Sequence, residues 1–275
     1  MGIPVLVTVD ENYIHCLKVM LYSLKLNNLK QSFDIYLLHR NINKKAIDNL
    51  KTYNEKIGNN LIPICINGDI FINAPSSERY PQEMYYRLLA HKFLPESLSK
   101  IIYLDPDIIV INSIEKLWNL NIDGYLFAAA AHTWKTDIAN NINHIRLKTK
   151  TDYFNSGVLL INLEECRKNI RENEIFDYVN EKGDGLILPD QDVLNALYSN
   201  RILQIEDALW NYDVRNYKSY KLFSHGEYDM DWVMKNTVFL HFCGNDKPWK
   251  KNYRYRFGPL YKHYAILSNR IERGE

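Results

Sequence analysis

Asp105-Pro106-Asp107 interrupts an apolar stretch that runs from Ile101 to Ile111. Alternate residues at a strand end point the same way, so both carboxylates can converge on one divalent cation. Pro106 stiffens the connection and holds Asp105 extended. Hard oxygen ligands suit Mg2+ or Mn2+, and a cation there would neutralise a diphosphate and make a nucleoside diphosphate a good leaving group without protonation. Taken alone, an Asp-Pro turn on the surface explains the tripeptide about equally well.

Three further clusters carry polar side chains beside apolar runs. Thr8, Asp10, Asn12 and Tyr13 follow the first run and could accept from a base or ribose, with an aromatic ring for stacking. Capping of the next helix by Asp10 or Asn12 is the plainer reading. Asn155 and Ser156 stand ahead of an apolar strand, and Asp190, Gln191 and Asp192 ahead of a helical pattern. Amides and carboxylates at such points can take two adjacent sugar hydroxyls, although Asp192 reads best as a simple N-cap. The last cluster runs from His241 to Trp249. There His241 could complete a metal site of mixed oxygen and nitrogen ligands, Gly244 lets backbone approach a phosphate, and Lys247 offers a point charge. A lone histidine at a strand end is more often structural, but all four clusters lie where one crevice would gather them. Neither GxGxxG nor GxxxxGK[ST] occurs in the chain.

The elements that must position these residues alternate. Ile3 to Val9 reads as a strand, followed by Leu17, Met20, Leu21 and Leu24 at helical spacing. Phe33 to Leu38 and Leu61 to Ile66 read as buried strands separated by a helix from about Asn43 to Ile57. Glu83 to Leu94 reads as a helix carrying Arg87. Tyr125 to Ala131, Gly157 to Ile161 and Val238 to Leu240 read as later strands, and Asp192 to Tyr198 as a helix. This order predicts an α/β fold with a largely parallel sheet covered by helices on both faces, and ligands beyond the carboxyl ends of the strands.

Composition narrows the partners. The 275 residues are 46% hydrophobic and 24% charged, values that suit a packed core and exclude disordered and fibrous classes. A net charge of +1 excludes a general polyanion field, so nucleic acid is not an expected partner. Four scattered cysteines without a CxxC pair point away from zinc and towards a reducing, cytoplasmic compartment. No secretory leader and no run of roughly 20 apolar residues is present. One catalytic domain over residues 1–249 is expected, with a basic, aromatic tail over 250–275. That tail, with Lys250, Lys251, Arg254, Arg256 and Lys262 among Tyr253, Tyr255, Phe257, Tyr261 and Tyr264, could lie on an anionic membrane or pack on the domain.

Five motifs in order, YYRL around Arg87, YLDPD, FNSGVLLINL, DQDVLN and HFCGNDKPW, resemble those of glycosyltransferase family 8 across Thr8 to about Trp249. The resemblance implies a GT-A type Rossmann-like fold with a mixed, mostly parallel sheet, and manganese-dependent, retaining transfer of galactose or glucose from a UDP-hexose to a saccharide or glycoconjugate acceptor. It implies a metal held by Asp105, Asp107 and His241, with Mg2+ as an alternative to Mn2+. Nucleotide contacts would come from Thr8, Asp10, Asn12, Tyr13, Pro106, Asp107, Gly244 and Lys247. Arg87, Asn155, Ser156, Asp190 and Gln191 would surround the sugar, the last two nearest the reacting carbon. An amide oxygen is a poor nucleophile, so front-face attack with the leaving phosphate as base stands beside double displacement. Two features depart from the family pattern: Pro106 replaces an apolar residue, and Ala128 to His132 lacks an aspartate found near the sugar in several relatives. A sugar-phosphate nucleotidyltransferase and a non-catalytic nucleotide-sugar binding module are the competing readings. The first lacks its glycine-rich basic loop after the first strand, and the second would have little reason to keep converging charges.

Overall fold

The structure is a computed structural model that describes residues 2–66, 84–131, 146–147, 149–182 and 185–275. Ten strands are described: β1 (Ile3–Thr8), β2 (Phe33–His39), β3 (Asn60–Cys65), β4 (Lys100–Leu104), β5 (Ile108–Val110), β6 (Phe127–Ala131), β7 (Phe154–Asn162), β8 (Ile202–Ile205), β9 (Tyr212–Asp213) and β10 (Phe239–His241). Seven form one sheet in the order β3-β2-β1-β4-β7-β6-β8, and β5-β10-β9 form a smaller one.

Strand pairing follows the apolar pattern. In β1, Val5 and Val7 enter the core on one face of the large sheet while Leu6 enters the core on the other, so helices must cover both faces. The helices Ile14–Leu26 and Lys44–Lys56 supply Leu17, Met20, Leu21, Leu24, Ile47 and Leu50 to the first of these cores. β1 pairs in parallel with β2 and β4, and β2 with β3, as βαβ units require. β7 alone in this sheet runs antiparallel, between β4 and β6. The expected mixed, mostly parallel α/β sheet is what the chain forms.

Three boundaries differ from the sequence reading. The run from Ile101 to Ile111 divides between two sheets, because β5 leaves β4 and pairs antiparallel with β10 instead. The turn that makes this switch is Asp105-Pro106-Asp107. β7 begins at Phe154, so Asn155 and Ser156 lie inside a strand; a register shift between Ala129 and Ala131 lets Phe154 pair with Ala131. The helix carrying Arg87 closes at Leu88 and passes into a 3-10 turn at Ala90–Lys92. The connection expected from Asn73 to Pro81, Glu83 at the head of that helix, and His132 lie outside the described residues.

Residues 250–275 are described as part of the same packed body. The helix Gly258–Arg273 lies on the helices at Ile14–Leu26 and Lys44–Lys56. Phe257, Tyr261 and Tyr264 share a core with Tyr212, Leu240 and Phe242. Tyr53 and Ser268 hydroxyls meet at 2.6 Å, and Asn27 Nδ2 donates to the Tyr264 hydroxyl at 2.9 Å. The tail aromatics at these positions face inward, while Lys250, Lys251, Arg254, Arg256 and Lys262 stay exposed. No helix among the described residues is long and apolar enough to cross a membrane.

Candidate active site

The topology brings the clusters together. β4 ends at Leu104, and because β7 is antiparallel to it, the start of β7 lies at the same end of the sheet. Asp105 N donates to Gly157 O at 2.9 Å across this junction. The small sheet then delivers His241, the last residue of β10, opposite Ile108 of β5, and Phe242 N donates to Asp107 O at 3.0 Å. A cavity of about 340 Å3 opens there, lined by Arg87, Asp105, Asp107, Ser156, Asp190 and Gln191 among others. A larger cavity of about 670 Å3 lies between His91, Lys92 and Arg167, among none of these residues.

One ligand atom each from Asp105, Asp107 and His241 lies within 4.8 Å of the other two. His241 Nε2 stands 3.3 Å from Asp107 Oδ1 and 3.6 Å from Asp105 Oδ2. Two hard carboxylate oxygens with one imidazole nitrogen are a donor set that Mn2+ or Mg2+ accepts. Gly157 forms the floor: a Cβ there would come within 2.3 Å of His241 Cε1 and 2.7 Å of Asp105 Oδ2. The residues therefore fit a small divalent cation.

Charge balance supports the same reading. Burial alone would push the Asp107 carboxyl up, but His241 and Lys247 beside it hold it well below the usual carboxylate range. Lys247 Nζ is ion-paired with Asp107 Oδ2 and donates to Phe242 O at 3.0 Å. Burial would lower the His241 imidazole, yet the neighbouring Cys243 sulfur and Asp107 carboxylate raise it well above its ordinary value. Of those two the carboxylate carries the charge near neutral pH, because burial also pushes the Cys243 thiol up. A cation held by His241 and the two carboxylates would take the place of the His241 Nε2 proton.

Arg87 joins the Asp105 and Asp190 sides of the cavity. Its Nη1 lies 3.1 Å from Asp105 Oδ1 and 3.0 Å from Asp190 Oδ2, and its Cζ lies 4.5 Å from the centre of the Tyr103 ring. Burial opposes its charge, and Asp105 and Asp190 sustain it. Ser156 Oγ donates to Asp190 Oδ2 at 2.8 Å. Asn155 Nδ2 donates to Gln191 Oε1 at 3.1 Å.

Thr8, Asp10, Asn12 and Tyr13 lie at the end of β1 and do not line this cavity. Asp10 caps the 3-10 turn Glu11–Tyr13, accepting from Tyr13 N at 3.1 Å, as the capping reading expects. Thr8 Oγ1 meets the Tyr103 hydroxyl at 3.3 Å, and that hydroxyl donates to Asp105 Oδ1 at 2.6 Å. Tyr13 stands edge-on to Trp249, with ring centroids 6.2 Å apart, and Lys247 Nζ lies 5.8 Å from the Trp249 ring. The first and last clusters thus meet at Trp249. Gly244 adopts φ 82, the left-handed region that glycine tolerates.

Asp192 is not the N-cap expected of it. The helix starts at Pro189 with Leu188 at the cap, and Asp192 lies wholly buried in its first turn. Its carboxylate accepts from both Arg146 Nη atoms at 2.6 and 2.7 Å, from the Tyr153 hydroxyl at 2.5 Å, and from the backbone of Ile187 and Leu188. Sequence reading also missed Asn211, Asp213, Arg215 and Cys243. Arg215 forks onto Asp213 at 2.7 to 3.2 Å and rests where a Gly244 side chain would stand. Only Cys243 lay inside a recognised motif; Asp213 lies in, and Asn211 and Arg215 beside, a two-residue strand that leaves no periodic trace.

The comparisons agree with this geometry. The family model described as Glycosyl transferase family 8 matches residues 4–253. General stress protein A of Bacillus subtilis is 28% identical over 264 residues, covering 93% of this chain and 90% of that protein. A lipopolysaccharide 1,2-glucosyltransferase of Escherichia coli is 28% identical over 268 residues, covering 94% of this chain and 77% of that one. Among solved structures, the galactosyltransferase LgtC in complex with donor and acceptor sugar analogs superposes with a TM-score of 0.80 at 22% identity, covering 96% of each chain, a likeness of GT-A fold. With the family pattern running through both sheets and every strand end that builds the crevice, the chain belongs to glycosyl transferase family 8 and is a glycosyltransferase.

Proposed function

We propose that the chain transfers a hexose, galactose or glucose, from a UDP-hexose to a hydroxyl of a saccharide or glycoconjugate acceptor, with retention at the anomeric carbon. The observation that carries this reading is the convergence of Asp105, Asp107 and His241 within 4.8 Å beside a cavity lined by Arg87, Asp190 and Gln191. Mn2+, or Mg2+, held by those three side chains would neutralise the charge that develops on departing UDP.

The chain's own residues do the rest. Thr8, Asp10, Asn12, Tyr13 and Pro106 bind the nucleoside side of UDP. Gly244 admits the diphosphate close to backbone, and Lys247, paired with Asp107 in the free protein, adds positive charge to it. Arg87 and Ser156 hold Asp190 at the sugar, with Asn155 and Gln191 alongside. Asp190 and Gln191 act nearest the anomeric carbon. The acceptor hydroxyl attacks from the side of the leaving phosphate, which takes its proton.

Soluble protein is assayed for Mn2+-dependent hydrolysis and transfer from UDP-galactose and UDP-glucose, with Asp107→Ala alongside. Loss of turnover in the variant is expected; equal turnover by both proteins would remove the metal role. UDP with Mn2+ should raise the thermal midpoint further than UDP alone, by mass action on the folded state. The exposed basic residues of the tail support a second element of the reading, peripheral contact with an anionic inner membrane face.

A further inference from the structure

Both ends of the Asn211 amide are engaged, and the residue has no exposed surface. Its Oδ1 lies 2.8 Å from His241 Nδ1, and its Nδ2 donates to Asn155 Oδ1 at 2.7 Å. Gly157 N donates to the same Asn155 oxygen at 2.8 Å, and Asn155 Nδ2 donates to Gln191 Oε1 at 3.1 Å. One contact sets the direction of the whole chain. A backbone N–H can only donate, so the Asn155 atom facing Gly157 is its oxygen. The Asn211 atom facing that oxygen is then nitrogen, which leaves the Asn211 oxygen towards His241 and requires a proton on Nδ1. With Nδ1 protonated, Nε2, which faces Asp105 and Asp107, is the nitrogen that can give up its proton and offer a lone pair to a cation. At the far end, the Gln191 oxygen is tethered, and its N–H2 is the group left for a ligand in the cavity that Gln191 lines.

We propose that Asn211 and Asn155 are positioning residues, a one-way hydrogen-bond relay from His241 to Gln191 that sets His241 to ligate through Nε2 and sets Gln191 to donate to the transferred sugar rather than attack it. The proposal rests on the metal and donor assignments above. Each link donates in the same sense, so the bonds polarise one another along the chain. A buried amide without such partners would be costly, which is why a leucine would suit this position better if the relay had no task.

The test is Mn2+ affinity, by isothermal titration at saturating UDP, measured beside donor turnover. Asn211→Leu removes both contacts and should weaken Mn2+ binding about 10- to 100-fold, the usual cost of losing a partner behind a metal-bound histidine. Asn211→Asp keeps the acceptor for His241 and loses the donor to Asn155, so Mn2+ affinity should hold while kcat falls at unchanged donor KM. It also serves if the leucine variant fails to fold. Gln191→Glu still accepts from Asn155 but cannot donate, so kcat should fall with no hexose attached to that side chain in intact-protein mass spectra. Wild-type Mn2+ affinity and kcat in both Asn211 variants, or a hexosyl adduct on the replaced Gln191, would overturn the relay. A wild-type protein that binds no Mn2+ with UDP would instead remove the metal assignment and the His241 half, leaving the Gln191 half to the adduct measurement.

Discussion

Gly157 decides how close the candidate metal ligands can come. Its backbone requires no unusual φ, so alanine there meets a steric rather than a conformational obstacle. The added methyl would overlap His241 Cε1 and press on Asp105 Oδ2, two side chains of the candidate ligand set. Gly157→Ala should therefore fold, with a far-ultraviolet spectrum like wild type, yet lose on the order of a hundredfold in metal-dependent turnover, since displacements near 1 Å cost that much. Turnover within a factor of about three of wild type would show that the ligand set is looser than the distances imply. At this scale much of the site is legible in the sequence. Asp105, Asp107, His241 and Lys247 each follow an apolar run closely, where a strand end is easily recognised. Asn211 and Arg215 follow no such run, and their partners are fixed only by tertiary packing.

Among the elements, the helix Pro189–Tyr198 depends on a carboxylate inside its own first turn. Asp192 draws in Arg146, Tyr153 and the Ile187–Leu188 backbone, and so fixes the segment that delivers Asp190 and Gln191. Removing it leaves Arg146 and two backbone N–H groups without their shared acceptor. Asp192→Ala should cost about 3 to 5 kcal/mol, as for other broken buried pairs. Asp192→Asn, which keeps one oxygen, should cost less and restore part of the turnover. Urea unfolding of the two variants checks this, and equal midpoints for alanine and wild type would exclude the clamp. The helix itself was visible in the sequence through Pro189 and the apolar spacing after it. The clamp was not, because its arginine and tyrosine lie 46 and 39 residues away in the chain. The division of Ile101–Ile111 between two sheets was hidden for a similar reason: an apolar run carries no sign of which strand it will pair with.

For the whole molecule, strand and helix alternation was enough to read the α/β class, since β1 to β4 alternate with covering helices in sequence order, while the short edge strands β8 and β9 left little pattern. The tail illustrates the same limit. Its aromatic spacing fits a membrane face or a packed helix equally, and in the fold Phe257, Tyr261 and Tyr264 face the core. Deleting the tail would thus expose that core, and substitution is the cleaner probe. Replacing the exposed Lys250, Lys251, Arg254, Arg256 and Lys262 with glutamine should keep the thermal midpoint and reduce co-sedimentation with phosphatidylserine vesicles; undiminished sedimentation would end the membrane reading. His91, outside the candidate site, contributes to acid stability. Burial, then the nearby charges of Lys92, Arg167 and Arg171, lower its imidazole to about 4. Unfolded histidine titrates near 6.5, so as pH falls below that value the unfolded chain takes up a proton that the folded protein refuses until about pH 4. The contribution of His91 is fully present above about 6.5 and is lost downwards through this window, by about 2 kcal/mol between pH 7 and pH 5. His91→Phe, of similar size and without a proton to gain, should flatten that part of the profile in urea unfolding at the two pH values. A variant that loses as much stability as wild type over the same interval would place the acid sensitivity at some other group.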